Sequence, residues 1–293
     1  MNLAVPRLAD LRADLGEGVL WAKLAVAGPV DGISIARGRG EHAGRFSGVK
    51  VYCVFVGYPR SGHSLIGSLI DAHPNALVSH RLDSLKYVQA GASRTELFAR
   101  IARNSERFAA SGRGLTRYSY AVPDQWQGRD EGLVVVGDQE GKGATERMAA
   151  DPALLTRLLA LDGVDVRFLH VVRNPYDNIA TWARRLNRTI AETTERYFLL
   201  CDAIERLRSG LPEGALLDVW HERFVADPEG GLREICGFLG LPVTDDYVRD
   251  CARIVFEEPR RTRHSSEWTP ASVETVARRA AAIDFLAGYT VDD

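Results

Sequence analysis

The stretch VYCVFVGYPRSGHS, residues 51–64, decides the fold. Its first six residues form an unbroken β-branched and aromatic run, the pattern of a parallel strand buried on both faces. Gly57 ends the run and a loop to Ser64 follows. Leu65, Leu69 and Ile70 then share one face of a helix that stops before His73 and Pro74, and ALVS at 76–79 reads as the next strand. This is a strand-loop-helix-strand unit, and the chain downstream repeats the alternation.

Ser93 and Glu96 form a capping-box signature in front of Leu97, Phe98, Ile101 and Phe108, which predicts a helix of about four turns. LVVVG at 133–137 reads as a third buried strand, and the segment from Leu154 to Leu161 as a helix. VRFLHVV at 166–172 is a fourth strand, ending at Arg173, after which Asn174 caps a helix with Pro175 in its first position. Thr189 to Arg208, Gly230 to Phe238 and Ser272 to Ala282 are mostly helical. Alternating strands and helices imply an α/β fold, a doubly wound parallel sheet of about four to five strands flanked by helices. Upstream, Leu8, Leu11, Leu15, Val19, Leu20 and Leu24 mark an amphipathic helix, followed by a Gly- and Arg-rich ribbon to Gly48. The expected layout is an N-terminal helix and linker over 1–48 and one α/β domain over 49–293.

A 293-residue chain that is 45% hydrophobic and 26% charged can bury a real core, which excludes a disordered or disulfide-stapled class. Lys+Arg is 37 against Asp+Glu 39, so the formal charge of -2 gives no global basic field and no nucleic-acid partner is expected. Cys53, Cys201, Cys236 and Cys251 lie far apart with no metal-site spacing, so reduced structural thiols, a cytoplasmic location and no metal are expected. No apolar run approaches the roughly 20 residues of a membrane span. Charges at Arg7, Asp10, Arg12, Asp14 and Glu17 interrupt any signal-peptide core.

Between a buried strand and a helix, Gly57 and Gly62 have the spacing of a phosphate-cradling loop, G-x-x-x-x-G-K-S/T. Such a loop aims backbone N–H groups and a helix N-terminus at one anion. His63 stands where a nucleotide triphosphatase carries its lysine, which disfavours an ATPase or GTPase, while Arg60 adds a forked cation inside the loop. Arg173 at a strand end, with Thr181 two turns along the capped helix, offers a guanidinium and a hydroxyl at the crevice where α/β sheets bind nucleotides.

These residues carry a resemblance. YPRSGHSL at 58–65, followed by DAHP at 71–74, resembles the 5′-phosphosulfate loop of sulfotransferases that use 3′-phosphoadenosine 5′-phosphosulfate (PAPS), whose pattern is close to YPRSGTTxL. Arg173, Asn174, Pro175 and Thr181 resemble the same family's 3′-phosphate motif, and the likeness spans roughly residues 50 to 270. It implies the P-loop-like sulfotransferase fold of bacterial members, with PAPS as co-substrate and transfer of a sulfuryl group to a hydroxyl, less readily an amine, of a small-molecule or glycosidic acceptor. It places the donor on Arg60, Ser61, Gly62, His63, Ser64 and Leu65, with Arg173 and Thr181 at the 3′-phosphate. LDVWHERF at 217–224 resembles the family's strand and acidic turn, which sets His221 near the adenine. Arg261 and Arg263, in the dense basic cluster at 260–264, match the segment that closes on the 3′-phosphate.

Two departures concern the chemistry. Where the family segment resembles H-E-L-D, this chain has His80, Arg81, Leu82 and Asp83, and where relatives resemble G-D-K-K-G it has Gly137, Asp138, Gln139, Glu140 and Gly141. If Arg81 and Glu140 face each other, cation and carboxylate have exchanged places and Glu140 is the base. His80 competes on equal terms through its ordinary pKa, and Asp83 follows. A silent PAPS-binding protein and another P-loop-type group transferase are the alternative functions. His73 and His170 read as structural. Trp126, Trp182, Trp220 and Trp268 could line an acceptor pocket or simply fill the core. The N-terminal helix could form a homodimer contact or cover the acceptor site.

Overall fold

The computed structural model describes residues 44–115 and 118–293. The helix expected over 6–26, and most of the ribbon that follows it, lie outside the described residues.

Strand β1 (Val51–Val56) has all six residues buried because it is the middle strand of the main sheet. Side-chain alternation divides it between two cores. Val51, Cys53 and Phe55 pack with α1 (His63–Ile70), whereas Tyr52, Val54 and Val56 belong to the opposite layer. Strand β2 (Ala76–Ser79) is followed by α2 (Leu85–Gln89) and α3 (Arg94–Ala110). The capping box of α3 forms as its sequence requires, the Ser93 side chain accepting from the Glu96 N–H while Glu96 accepts from the Ser93 N–H at 3.0 Å. A two-residue antiparallel hairpin, β3 (Gly114–Leu115) with β4 (Tyr118–Ser119), comes next and was not expected.

Strand β5 spans Val135–Asp138 rather than 133–137. The start shifts because the Asn75 carbonyl accepts from the N–H groups of both Val134 and Val135, which bends the chain at the entry to the sheet. Then follow α4 (Gly141–Ala150), α5 (Ala153–Leu159), β6 (Asp165–Val172), α6 (Pro175–Leu186), α7 (Ile190–Ser209) and β7 (Leu216–Trp220). Four more helices close the described chain: α8 (His221–Ala226), α9 (Pro228–Leu239), α10 (Asp245–Ala252) and α11 (Pro270–Ala280). Ile235, Leu239 and Val248 of α9 and α10 join the layer of α1, while Leu97, Ala144 and Leu154 of α3, α4 and α5 form the other.

The sheet order is β2-β5-β1-β6-β7, and every pairing is parallel. From β1 the chain goes out to β2 and back to β5 on one side, then crosses to β6 and β7 on the other. The topological switch therefore falls at the carboxyl end of β1, where a crevice opens in sheets of this kind. The fold is the doubly wound α/β sheet expected of the alternating pattern. All four cysteines are buried and unpaired. No helix among the described residues is long and apolar enough to cross a membrane.

Candidate active site

The loop leaving β1 is bent by three residues in the left-handed region, Gly57 at φ 130°, Arg60 at φ 72° and Gly62 at φ 110°. The Gly57 N–H donates to Thr145 Oγ1 at 2.8 Å, and that hydroxyl donates to the Gly141 carbonyl, so α4 holds the loop's first residue. Tyr58 is fully buried against Tyr197 and His170. A Cβ on Gly62 would lie 2.6 Å from His221 Nδ1, so only glycine lets β7's end and the loop pack together. No side chain caps α1, which leaves its first-turn N–H groups for an anion. Ser61 Oγ lies 3.3 Å from His63 Nδ1, and Arg60 is exposed with no ion-pair partner among the described residues.

On the β6–β7 flank, Arg173 is buried and its guanidinium donates to two backbone carbonyls, that of Arg60 at 3.0 Å and that of Arg260. It ties the loop to the C-terminal basic segment, with Nε left unpartnered. Asn174 caps α6 through Tyr176 N–H, as predicted, and its own N–H donates to Glu222 at 2.9 Å. Thr181 Oγ1 donates to Thr262 Oγ1 at 3.0 Å, which brings α6 to the same basic segment. Arg263, expected at the 3′-phosphate, is buried in an ion pair with Asp177, and its Nε donates to the Val291 carbonyl; both residues line the cavity that Arg261 also lines. Arg261 is exposed and, with Trp220, Arg223 and Tyr289, lines this cavity of about 420 Å³ on this flank. His221 Nδ1 is buried without a partner.

On the β2–β5 flank the two departures meet. Arg81 Nε lies 3.5 Å from Glu140 Oε2, so the pair that the two altered segments suggested does face across the strand ends. The other Glu140 oxygen accepts from the Gly143 N–H at 3.1 Å and caps α4. His80 stacks on Phe108 with ring centroids 4.0 Å apart, and its Nδ1 meets the side-chain amide nitrogen of buried Gln139. Its Nε2 is buried without a partner. Asp83 is committed to a two-pronged ion pair with Arg147. Asp138 accepts from Ser79 Oγ, the Leu82 N–H and the Ser84 N–H, which fixes the turn that presents Arg81 in a left-handed conformation (φ 54°).

A model of the sulfotransferase family matches residues 54–245, which contain the loop and both flanks up to α10. The chain belongs to the sulfotransferase family. Solved structures similar to it include a sulfotransferase, STF1, from Mycobacterium tuberculosis H37Rv, at 14% identity and a TM-score of 0.48 over 86% of this chain and 82% of that one. A sulfotransferase from Alicyclobacillus acidocaldarius is 16% identical, with a TM-score of 0.44 over 80% and 93% of the two chains. Mouse sulfotransferase SULT7A1, solved with PAP, is 14% identical, with a TM-score of 0.43 over 80% and 84%. No curated protein sequence matches the chain.

The electrostatics of this sulfotransferase site are one-sided. Burial, then Arg81 and Arg60, push the His63 pKa down to about 4; burial, then Arg81, His63 and Arg113, push His80 to about 4. Burial and Arg173 bring His221 to about 3. All three imidazoles are therefore neutral near pH 7, in a field set by arginines. Arg185 of α6 belongs to that field, since it is the charged group that most depresses Arg60 after burial. Sequence reasoning missed Arg185, Thr145 and Tyr120. Nothing in the pattern distinguished them from ordinary helix and loop residues. Of the structural readings, His73 Nε2 donates to the Pro242 carbonyl (2.6 Å) while its Nδ1 accepts from the Asn75 N–H, and His170 pairs with Asp218 at 2.8 Å, both inside the fold. Trp182 is core, whereas Trp220 lines the cavity.

Proposed function

We propose that this sulfotransferase moves the sulfuryl group of PAPS to a hydroxyl of a small-molecule or glycosidic acceptor, in the cytoplasm. The observation that carries the reading is Arg60. It stands without a counter-ion in the left-handed turn of a loop that leads into an uncapped helix. An anion at that helix end supplies the missing charge and the missing acceptors together.

On this reading the loop residues Arg60, Ser61, Gly62, His63, Ser64 and Leu65 take the 5′-phosphosulfate. Arg173, Thr181 and Arg261 bring the 3′-phosphate side to it, and His221 lies beside the adenine. Arg263 holds the basic segment in place through Asp177. During transfer the bond from acceptor oxygen to sulfur forms as the sulfur–phosphate oxygen bond breaks. The acceptor proton passes to Glu140, and adenosine 3′,5′-bisphosphate leaves with its new charge against Arg60. His80 takes a different part. With Nδ1 accepting from the Gln139 amide, a neutral ring carries its proton on Nε2, so His80 serves as a hydrogen-bond donor to a sulfuryl oxygen.

Calorimetric titration with adenosine 3′,5′-bisphosphate tests the donor site. Wild type binds it more tightly than ATP and Arg173→Ala loses about tenfold or more; no binding, or a preference for ATP, sinks the reading. The exchanged pair at 3.5 Å supports one other reading, a PAPS-binding protein without turnover. Glu140→Gln is expected to lower turnover about 10²-fold or more, and wild type without turnover on any hydroxyl acceptor would favour the silent protein.

A further inference from the structure

Next to Arg60 the described chain carries a strip of rings that runs from Tyr120, packed on the core, out to the surface. Tyr120 lies close to Ser64 of the loop and to the charges of Arg60 and Arg81. Its ring lies 6.4 Å from that of Tyr118, and Tyr118 lies 5.7 Å from Phe256 in an edge contact. At the inner end Tyr120 also approaches His80, at 6.4 Å. The strip thus begins at the groups assigned to the chemistry and runs outward.

Its far end is open and cationic. Phe256 is 47% exposed, one of few large apolar side chains so placed among the described residues. The Arg260 guanidinium lies over two rings at once, 5.0 Å from the Tyr118 centroid and 5.7 Å from that of Phe256. No carboxylate among the described residues pairs with Arg260, Arg60 or Arg185. A planar guanidinium held against two rings keeps its edge donors for an outside partner. Exposed rings favour a flat apolar body, and an unpaired arginine beyond them favours an anion.

We propose that the acceptor is an aryl hydroxyl bearing an acidic group: the ring lies on Tyr118 and Phe256, the acid meets Arg260, and the hydroxyl points inward to Arg60 and Glu140. The proposal rests on the sulfotransferase reading and narrows its acceptor. The order of charges gives the orientation, because the acid is held at the end of the strip away from the sulfur.

The test uses the full chain with PAPS and measures sulfated product by mass spectrometry. Acceptors are 4-hydroxyphenylacetate, its methyl ester, 4-hydroxycyclohexylacetate and glucuronate. Wild type is expected to favour the first over each of the others by about tenfold or more in kcat/KM. Phe256→Ala should raise its KM about tenfold, and Arg260→Gln should erase the preference for acid over ester. Equal use of acid and ester by wild type, or a better rate with the cyclohexyl compound or glucuronate, overturns the proposal. Parallel titration with adenosine 3′,5′-bisphosphate separates the two failures: bound nucleotide with no preference for the ring acid overturns this proposal alone, and absent nucleotide binding overturns the reading beneath it.

Discussion

The two flanks of the crevice are built differently. On the β6–β7 side, arginine side chains bind main-chain carbonyls or a carboxylate that is itself buried: Arg173 reaches Arg60 and Arg260, and Arg263 with Asp177 is only 3% and 2% exposed. On the β2–β5 side, the Arg81–Glu140 pair joins two side chains nearer the surface, Arg81 57% and Glu140 13% exposed, above a buried layer in which Asp138 binds main-chain N–H groups and Asp83 binds Arg147. Contacts to the main chain fix one residue type in one place. A surface ion pair can exchange its two members and keep its geometry. The donor flank therefore preserves a recognisable motif, and the chemistry flank can lose the motif while keeping a cation and a carboxylate face to face.

That contrast is broken most strongly at Asp177. Asp177→Ala leaves the Arg263 guanidinium buried and unpaired, which costs about 3–5 kcal/mol by the usual penalty for breaking a buried pair. Urea denaturation at neutral pH reads it directly. A loss below about 1 kcal/mol would mean that the donor flank is no more rigid than the surface pair. Next comes Arg60→Ala, which removes the cation that meets the developing charge and is expected to lower turnover about 10²- to 10³-fold. Stability should change little, because the Arg60 side chain makes no ion pair among the described residues. A stability loss with unchanged turnover would place Arg60 in the scaffold instead.

A smaller effect sharpens the other half of the comparison. The Arg81–Glu140 coupling, measured by a double-mutant cycle of stability with Arg81→Gln and Glu140→Gln, should not exceed about 1 kcal/mol, as for other exposed pairs. The reversed pair, Arg81→Glu with Glu140→Lys, should recover more turnover than Arg81→Glu alone. If it recovers none, the position of the carboxylate matters and the two sites are not exchangeable.

How much of this was legible in the sequence follows the same division. β1 was readable to the residue because burial on both faces demands an unbroken apolar run, and Asn174 with Pro175 was readable because a helix start has local chemistry. The hairpin at 114–119 was not, since two-residue strands have no period. Arg263 could be assigned to the basic segment from its neighbours in sequence, but its ion-pair partner Asp177 lies on a distant helix that only the folded chain brings near. Arg81 and Glu140 could be paired in advance because two departures from one pattern compensated each other in charge. The fate of His80 depended on Gln139, and which of its nitrogens an amide meets is a matter of strand register, not of residue type.

The smallest effect concerns pH and sets the two kinds of buried group against each other. His63, His80 and His221 titrate near 4, 4 and 3 in the folded protein, against roughly 6.5 when unfolded. Between those values the unfolded chain binds more protons, so their contribution is present above about pH 6.5 and is lost on acidification. Burial acts oppositely on Asp71 and Asp138, raising each to about 6. In the interval from about 4 to 6 it is the folded state that holds their protons, so acidification there is stabilising. The wild-type urea midpoint should therefore fall as pH drops from 6.5 to 6 and then flatten, because two carboxyls offset much of what three imidazoles lose. Asp138→Asn removes one offset and should steepen the fall below pH 6, whereas His63→Asn should shallow it. A wild-type midpoint that rises from pH 6.5 to 6 would show that burial does not hold the imidazoles neutral.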